Sequence, residues 1–161
     1  MLSHHKQTIK ELKSMILTSR YRAAALANKE LLLLYFSVGK LIVEKSKSEK
    51  WGSGTLDKIA TDLQKELPGL RGFSITSLKK MRVFYTEWEF FFSIRPLLTD
   101  ELKKTVRSAT KKNPAMANEF SPLSTDEFRK DFFSIGFTHH YEILIKTRTV
   151  DERIFYIIKT A

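Results

Sequence analysis

The sequence predicts an all-α domain, built from a long N-terminal helix and a helix–turn–helix-like pair. Three observations carry that expectation. Apolar residues recur at three- and four-residue steps in every patterned stretch, the spacing of one face of a helix. Glycine, proline and small hydroxyl residues fall between those stretches, where helices start and stop. Alternation of the kind a strand needs is weak. Its best candidate, residues 90–94, reads better as a helix end or loop.

Residues 6–47 form the first stretch, with Ile9, Leu12, Ile16, Leu26, Leu34, Val38 and Leu41 among its periodic apolar positions. Gly39 is the weak point of this pattern, which fits one helix or two joined near Asn28. Residues 44–50 lose apolar character, and Trp51-Gly-Ser-Gly-Thr55 reads as a turn with Thr55 as the cap of the next helix. Leu56 to Leu67 is amphipathic through Leu56, Ile59, Ala60, Leu63 and Leu67, and Pro68-Gly69 ends it. After Leu70-Arg-Gly-Phe73, Ser74 caps a third helix that buries Leu78, Met81, Phe84 or Tyr85, and Trp88. Residues 99–123 are polar and basic, and read as a mobile linker with a helical start at 101–109. Order resumes from Ser124. A short helix begins near Thr125, Gly136 breaks it, Thr138 caps another that runs to about Lys146, and Asp151 opens the last. The chain is thus one domain, 1–161, with a core over 1–98 and helices from 124–161 packing back on it.

Composition narrows the function. The 161 residues are 42% hydrophobic and 29% charged, the balance of a globular protein, and twelve Phe predict a ring-rich core. There is no cysteine, which excludes a disulfide scaffold and cysteine-based zinc sites and fits a cytoplasmic protein. The start is polar and no signal peptide is visible. The longest apolar run, Leu31 to Phe36, is far short of a membrane span, so no membrane association is expected. The net charge is +10. Ten Lys/Arg against four acids lie in residues 1–50, and six against three in 91–123, while 124–161 balances at six and six. Such an excess concentrates polyanions near the surface, or serves only to keep the protein soluble.

The centre of the chain is where a function is legible. Helices 56–67 and 74–88, joined by a Pro/Gly connector, have the outline of a helix–turn–helix, whose second helix offers its N-terminal polar residues to the major groove. Here that end carries Thr76, Ser77, Lys79, Lys80 and Arg82, with Arg71 on the connector; between Leu67 and Thr86 there is no acid. Hydroxyls donate to phosphate or base edges, and Lys and Arg neutralise phosphates. The same outline occurs in ordinary helical bundles, and the connector is longer than the usual three or four residues.

A family resemblance adds to this. Asn28-x-Glu30-Leu, Ser37-Val-Gly39-Lys40-x-Ile42, Trp51-Gly52-x-Gly54, Gly72-Phe73-Ser74 and Leu78-x2-Met81-Arg82-x-Phe84-Tyr85, followed more loosely by His140, Leu144 and Arg153-x-Phe155-Tyr156, resemble the N-terminal helical domain of the YhcG family. Phe36 stands where that family usually has Trp, Ala60-Thr61 where it has Leu-Ser, and Ser77 where it has Asn; Phe137-Thr-His-His140 carries one extra residue. The resemblance implies a module joined to a C-terminal PD-(D/E)xK nuclease-like domain and serving it as a DNA- or partner-binding accessory.

No catalytic apparatus is expected in this chain. Glu11-x-Lys13 and Glu101-x-Lys103 match a nuclease fragment by chance, since both lie outside any strand. His139 and His140, adjacent on a helix, point about 100° apart and suit packing or capping better than one shared metal. Asp126, Glu127 and Asp131 read as a solvated flank, and Trp51 as an anchor for its turn. No metal or cofactor is expected. The expectation is therefore a non-enzymatic accessory module for duplex DNA, with Arg71, Thr76, Ser77, Lys79, Lys80 and Arg82 at the contact. The alternative is a protein-interaction or oligomerisation module, a homodimer paired through residues 26–42.

Overall fold

A computed structural model of the chain describes residues 2–52, 54–93 and 126–161, with side chains from residue 5 and excluding 90–93, 126 and 127. Every regular element among them is a helix: α1 (Leu2–Ser48), α2 (Thr55–Glu66), α3 (Ile75–Ser93), α4 (Asp126–Ser134), α5 (Phe137–Lys146) and α6 (Val150–Thr160). The expected linker over 99–123 lies outside the described residues.

α1 is one unbroken helix, so neither Asn28 nor Gly39 interrupts it. Both residues work instead as points of attachment. Asn28 Nδ2 donates to the backbone oxygens of Phe133 (2.9 Å) and Ile135 (3.0 Å), satisfying carbonyls at the end of α4 that have no partner within that helix. Gly39 is buried where α1 crosses α3, and a β-carbon there would come 2.7 Å from Tyr85 Cβ and overlap the Met81 carbonyl. Glycine is thus present for close approach, despite the cost of glycine in a helix.

α3 runs through the middle of the packing. On one side Leu78 and Met81 meet Ile42 of α1 and Ala60 of α2, with Tyr35, Val38, Trp51, Leu56 and Phe73 closing round them. Further along, Phe84 and Trp88 join Leu32 of α1 to Phe128, Phe132, Phe133 and Ile135 of α4 and its exit, Leu144 of α5, and Ile154 and Ile157 of α6. Rings dominate as the composition predicts: Phe84 lies 5.4 Å from Phe137 and 6.1 Å from Phe132, centroid to centroid, and Trp88 stands edge-on to Phe132 at 5.1 Å. Burying such side chains stabilises by roughly 1.5–3 kcal/mol each, before entropy is counted.

Several caps differ from expectation. Thr55 is the first residue of α2, and Gly54, at φ 95°, holds the cap position because the turn from Ser48 enters left-handed. α5 begins at Phe137 with extended Gly136 before it, so Thr138 lies inside the helix. The last helix is opened by Thr149, whose hydroxyl accepts from Glu152 N at 3.2 Å while Glu152 accepts from Thr149 N, a full capping box. Ser74 does cap α3, accepting from Ser77 N at 3.3 Å. Residues 90–93 continue α3, as favoured over a strand.

Candidate nucleic-acid interface

Among the described residues, α1, α2, α4, α5 and α6 pack on α3 and leave one strip of it exposed, with Glu87 and Glu89 at the margins of its far end. At about 100° per residue, Thr76, Lys79, Arg82 and Thr86 fall along that strip, one turn apart, and all four are exposed. Thr86 is satisfied locally, donating to Arg82 O at 3.0 Å. Arg71, on the connector, is exposed as well. Among the described residues no ion pair engages Arg71, Lys79 or Arg82, whereas further down the helix Glu87 is paired and Glu89 is hydrogen-bonded but keeps its charge. Glu87 holds Arg153 of α6 at 2.6 Å, and Glu89 accepts from the Tyr85 hydroxyl at 2.5 Å. Burial, and then that bond, push the Tyr85 phenol up to about 12. The first three turns of α3 therefore present cations and a hydroxyl with no carboxylate of their own helix beside them.

Two of the six expected contact residues are not on this edge. Ser77 is half-buried, its amide and hydroxyl both turned to Ser74 Oγ. Lys80 points to the opposite flank, where its ammonium stands 4.6 Å over the ring of Tyr141 in α5. Glu142 lies beside it: bonded to Lys146 at 2.8 Å and further stabilised by the charge of Lys80, its carboxyl is held below the usual range. The reason is helical spacing. Positions 77 and 80 lie about 100° or more round from 79 and 82, and the C-terminal helices pack back on that side. The sequence shows the periodicity but not which flank α5 covers.

Elsewhere the structure assigns packing roles. His140 is fully buried among Phe84, Trp88 and Phe132, its Nε2 2.8 Å from Phe132 O. Burial holds its imidazole down at about 4, against the raising effect of that bond, so it is neutral and donates through Nε2. His139 is exposed, and the two do not converge. Trp51 donates to Glu49 at 2.9 Å and packs on the α1–α2–α3 core, as an anchor for its turn. No group of three or more metal-ligating side chains forms among the described residues. None of the described helices is long and apolar enough to cross a membrane.

The described residues thus form an all-helical domain whose central helix exposes Lys79 and Arg82 towards its start and Glu87 and Glu89 towards its end. Residues 11–161 match the sequence model of the DUF1016 N-terminal domain, and the chain belongs to that family. This agrees with the resemblance to the YhcG N-terminal domain carried by Asn28, Gly39, the Trp51-Gly-x-Gly turn and Met81-Arg82-x-Phe84-Tyr85. No curated protein and no solved structure matches the chain.

Proposed function

We propose that this domain is a non-catalytic DNA-binding accessory of a nuclease-like protein, holding duplex DNA against the open edge of α3. One observation carries the reading. Thr76, Lys79 and Arg82 line up on the exposed strip of the second helix of a helix–turn–helix-like pair, with Glu87 paired to Arg153 and Glu89 two turns beyond Arg82. Lys79 and Arg82 neutralise phosphates, and Thr76, in the first turn, donates to a phosphate or a base edge near the positive end of the helix dipole. Arg71 adds charge from the connector. Lys80 and Ser77 are outside the contact.

The test is anisotropy of a labelled duplex titrated with the full chain at low salt. Binding is expected, and the K79E/R82E double variant is expected to lose it while keeping its helical content. Absence of any duplex binding by the unaltered protein overturns the proposal. Self-association, the other reading of the sequence, rests on a different helix, α1.

A further inference from the structure

The face of α1 turned away from α3 is left uncovered by the described residues, and carries large apolar side chains interspersed with charged ones. The buried face, Leu32, Gly39 and Ile42 with Asn28 and Phe36 beside them, is spent on α3 and α4. Residues 5–27 are exposed without exception, so about 33 Å of helix stands clear of the body. Most helical stability in proteins comes from packing an amphipathic face, which the described residues do not provide for this stretch.

The outer face is patterned. Alternating steps of four and three residues from Ile9 reach Lys13, Ile16, Arg20 and Ala23, and go on from Ala27 through Glu30, Leu34 and Ser37 to Leu41. Every one of these positions is exposed. Ile9, Ile16, Leu34 and Leu41 are each about half accessible, at 51%, 55%, 45% and 56%. That is the spacing of a coiled-coil seam, with Lys13, Arg20, Glu30 and Ser37 at its polar positions; Leu12, Met15, Leu17, Leu26 and Leu31 are exposed to either side of it.

We infer that the outer face of α1 is covered by the α1 of a second copy of this chain, running antiparallel about a two-fold axis beside Ala25. That register is fixed by the residues themselves. It sets Ile9 against the partner's Leu41, and Ile16 against the partner's Leu34. Ala23 meets the partner's Ala27, and these small side chains let the helices approach at the axis. Arg20 falls opposite the partner's Glu30, and by symmetry Glu30 opposite the partner's Arg20; within the chain neither is in an ion pair among the described residues. Lys13 meets only the partner's Ser37, at a position able to reach solvent. A parallel pairing instead stacks Arg20 on Arg20, Glu30 on Glu30 and Lys13 on Lys13, repulsive in each case. The seam is about 48 Å long, and two helices paired over that length bury on the order of 800 Å² per chain, the size of a standard interface. The pairing covers the protruding half of each α1 with the body-bound half of the other. It is independent of the DNA reading, and its test contains no nucleic acid.

Sedimentation equilibrium of the full chain is expected to give a mass twice 18.7 kDa at tens of micromolar. Ile16→Glu should raise the dimer dissociation constant at least about a hundredfold, since it sets two carboxylates against Leu34 side chains. R20E and E30R should each weaken the dimer about tenfold, and the double variant R20E/E30R should restore it. Because the chain has no cysteine of its own, orientation is read directly: A23C mixed with A27C should cross-link on oxidation, while neither alone forms a disulfide dimer efficiently. All these positions are exposed in the monomer, so circular dichroism should be unchanged apart from the α1 extension. A monomer at these concentrations, efficient A23C self-linking, or failure of the double charge swap to restore association overturns the inference.

Discussion

Gly39 of α1 lies against the backbone of Met81 in α3, with no room for a side chain between the two helices. The contact sets the depth to which α1 sinks onto the central helix. In an exposed helix, replacing glycine by alanine stabilises by about 1 kcal/mol. Here the new methyl meets main chain that cannot swing aside. G39A should therefore destabilise, by about 2 kcal/mol or more, with Tm falling several degrees in a thermal melt. A raised Tm is the opposite outcome and removes the close crossing.

Asn28 ties α1 to the end of α4 with two hydrogen bonds to carbonyls 105 and 107 residues away. N28A should cost about 1–3 kcal/mol, because those carbonyls lose their donor in a half-buried place. N28D should be at least as damaging, since a carboxylate cannot donate and faces two oxygens. Urea denaturation of the three proteins checks the order.

His140 makes stability depend on pH. Its folded value, about 4, lies below the ordinary 6.5, so between these values the unfolded chain binds the proton and the folded one does not. The His140 contribution is whole above pH 6.5, shrinks as pH falls towards 4, and amounts to roughly 3 kcal/mol. H140Q keeps a donor for Phe132 O but removes the titration. Across that window its stability should vary less with pH than that of the parent, as read from denaturation midpoints at pH 4.5, 5.5 and 7.

Glu87 and Arg153 join α3 to α6, and the Arg153 side chain is only 12% exposed. E87Q should cost about 1–3 kcal/mol by leaving a mostly buried guanidinium without its counter-charge. The R153M variant, which removes that charge, should recover part of the loss in the E87Q background. A double-mutant cycle with no coupling between the two sites contradicts this.

The fold was open to reading in the sequence because its helices are amphipathic and punctuated. Leu56 to Leu67 and Leu78 to Trp88 show their buried faces by spacing alone, and Ser74 announces its helix. Gly39 and Asn28 were misleading for a physical reason. Local propensity treats both as weak points in a helix, whereas their value comes from partners more than forty residues away, which periodicity cannot register. The caps at 55 and 138 were displaced because the neighbouring glycines, Gly54 and Gly136, enter the helices without a side-chain cap. Several of the family-like residues are packing: Gly39, Ile42, Leu78, Met81, Phe84, Tyr85, His140 and Leu144 are all buried. Arg82 is the exposed member of its motif. The candidate site was half legible. Charge and order along the chain pick out Lys79 and Arg82, but only tertiary packing separates them from Lys80, which α5 takes up through Tyr141 and Glu142. The sequence shows Ile9, Ile16, Leu34 and Leu41 as periodic apolar positions of the first stretch, but that all four stay exposed follows only from which face the body buries.

The same separation gives the most direct test of the central claim, that the open edge of α3 is a nucleic-acid surface. The measurement is the slope of log binding constant against log salt for duplex DNA, taken for the parent chain, K79E/R82E and K80E. Each phosphate contact contributes about −0.9 to that slope. A slope shallower by about 2 is expected for K79E/R82E, with weakened affinity, and one nearly unchanged for K80E. Equal losses in both variants, or no salt-dependent binding by the parent, contradict it.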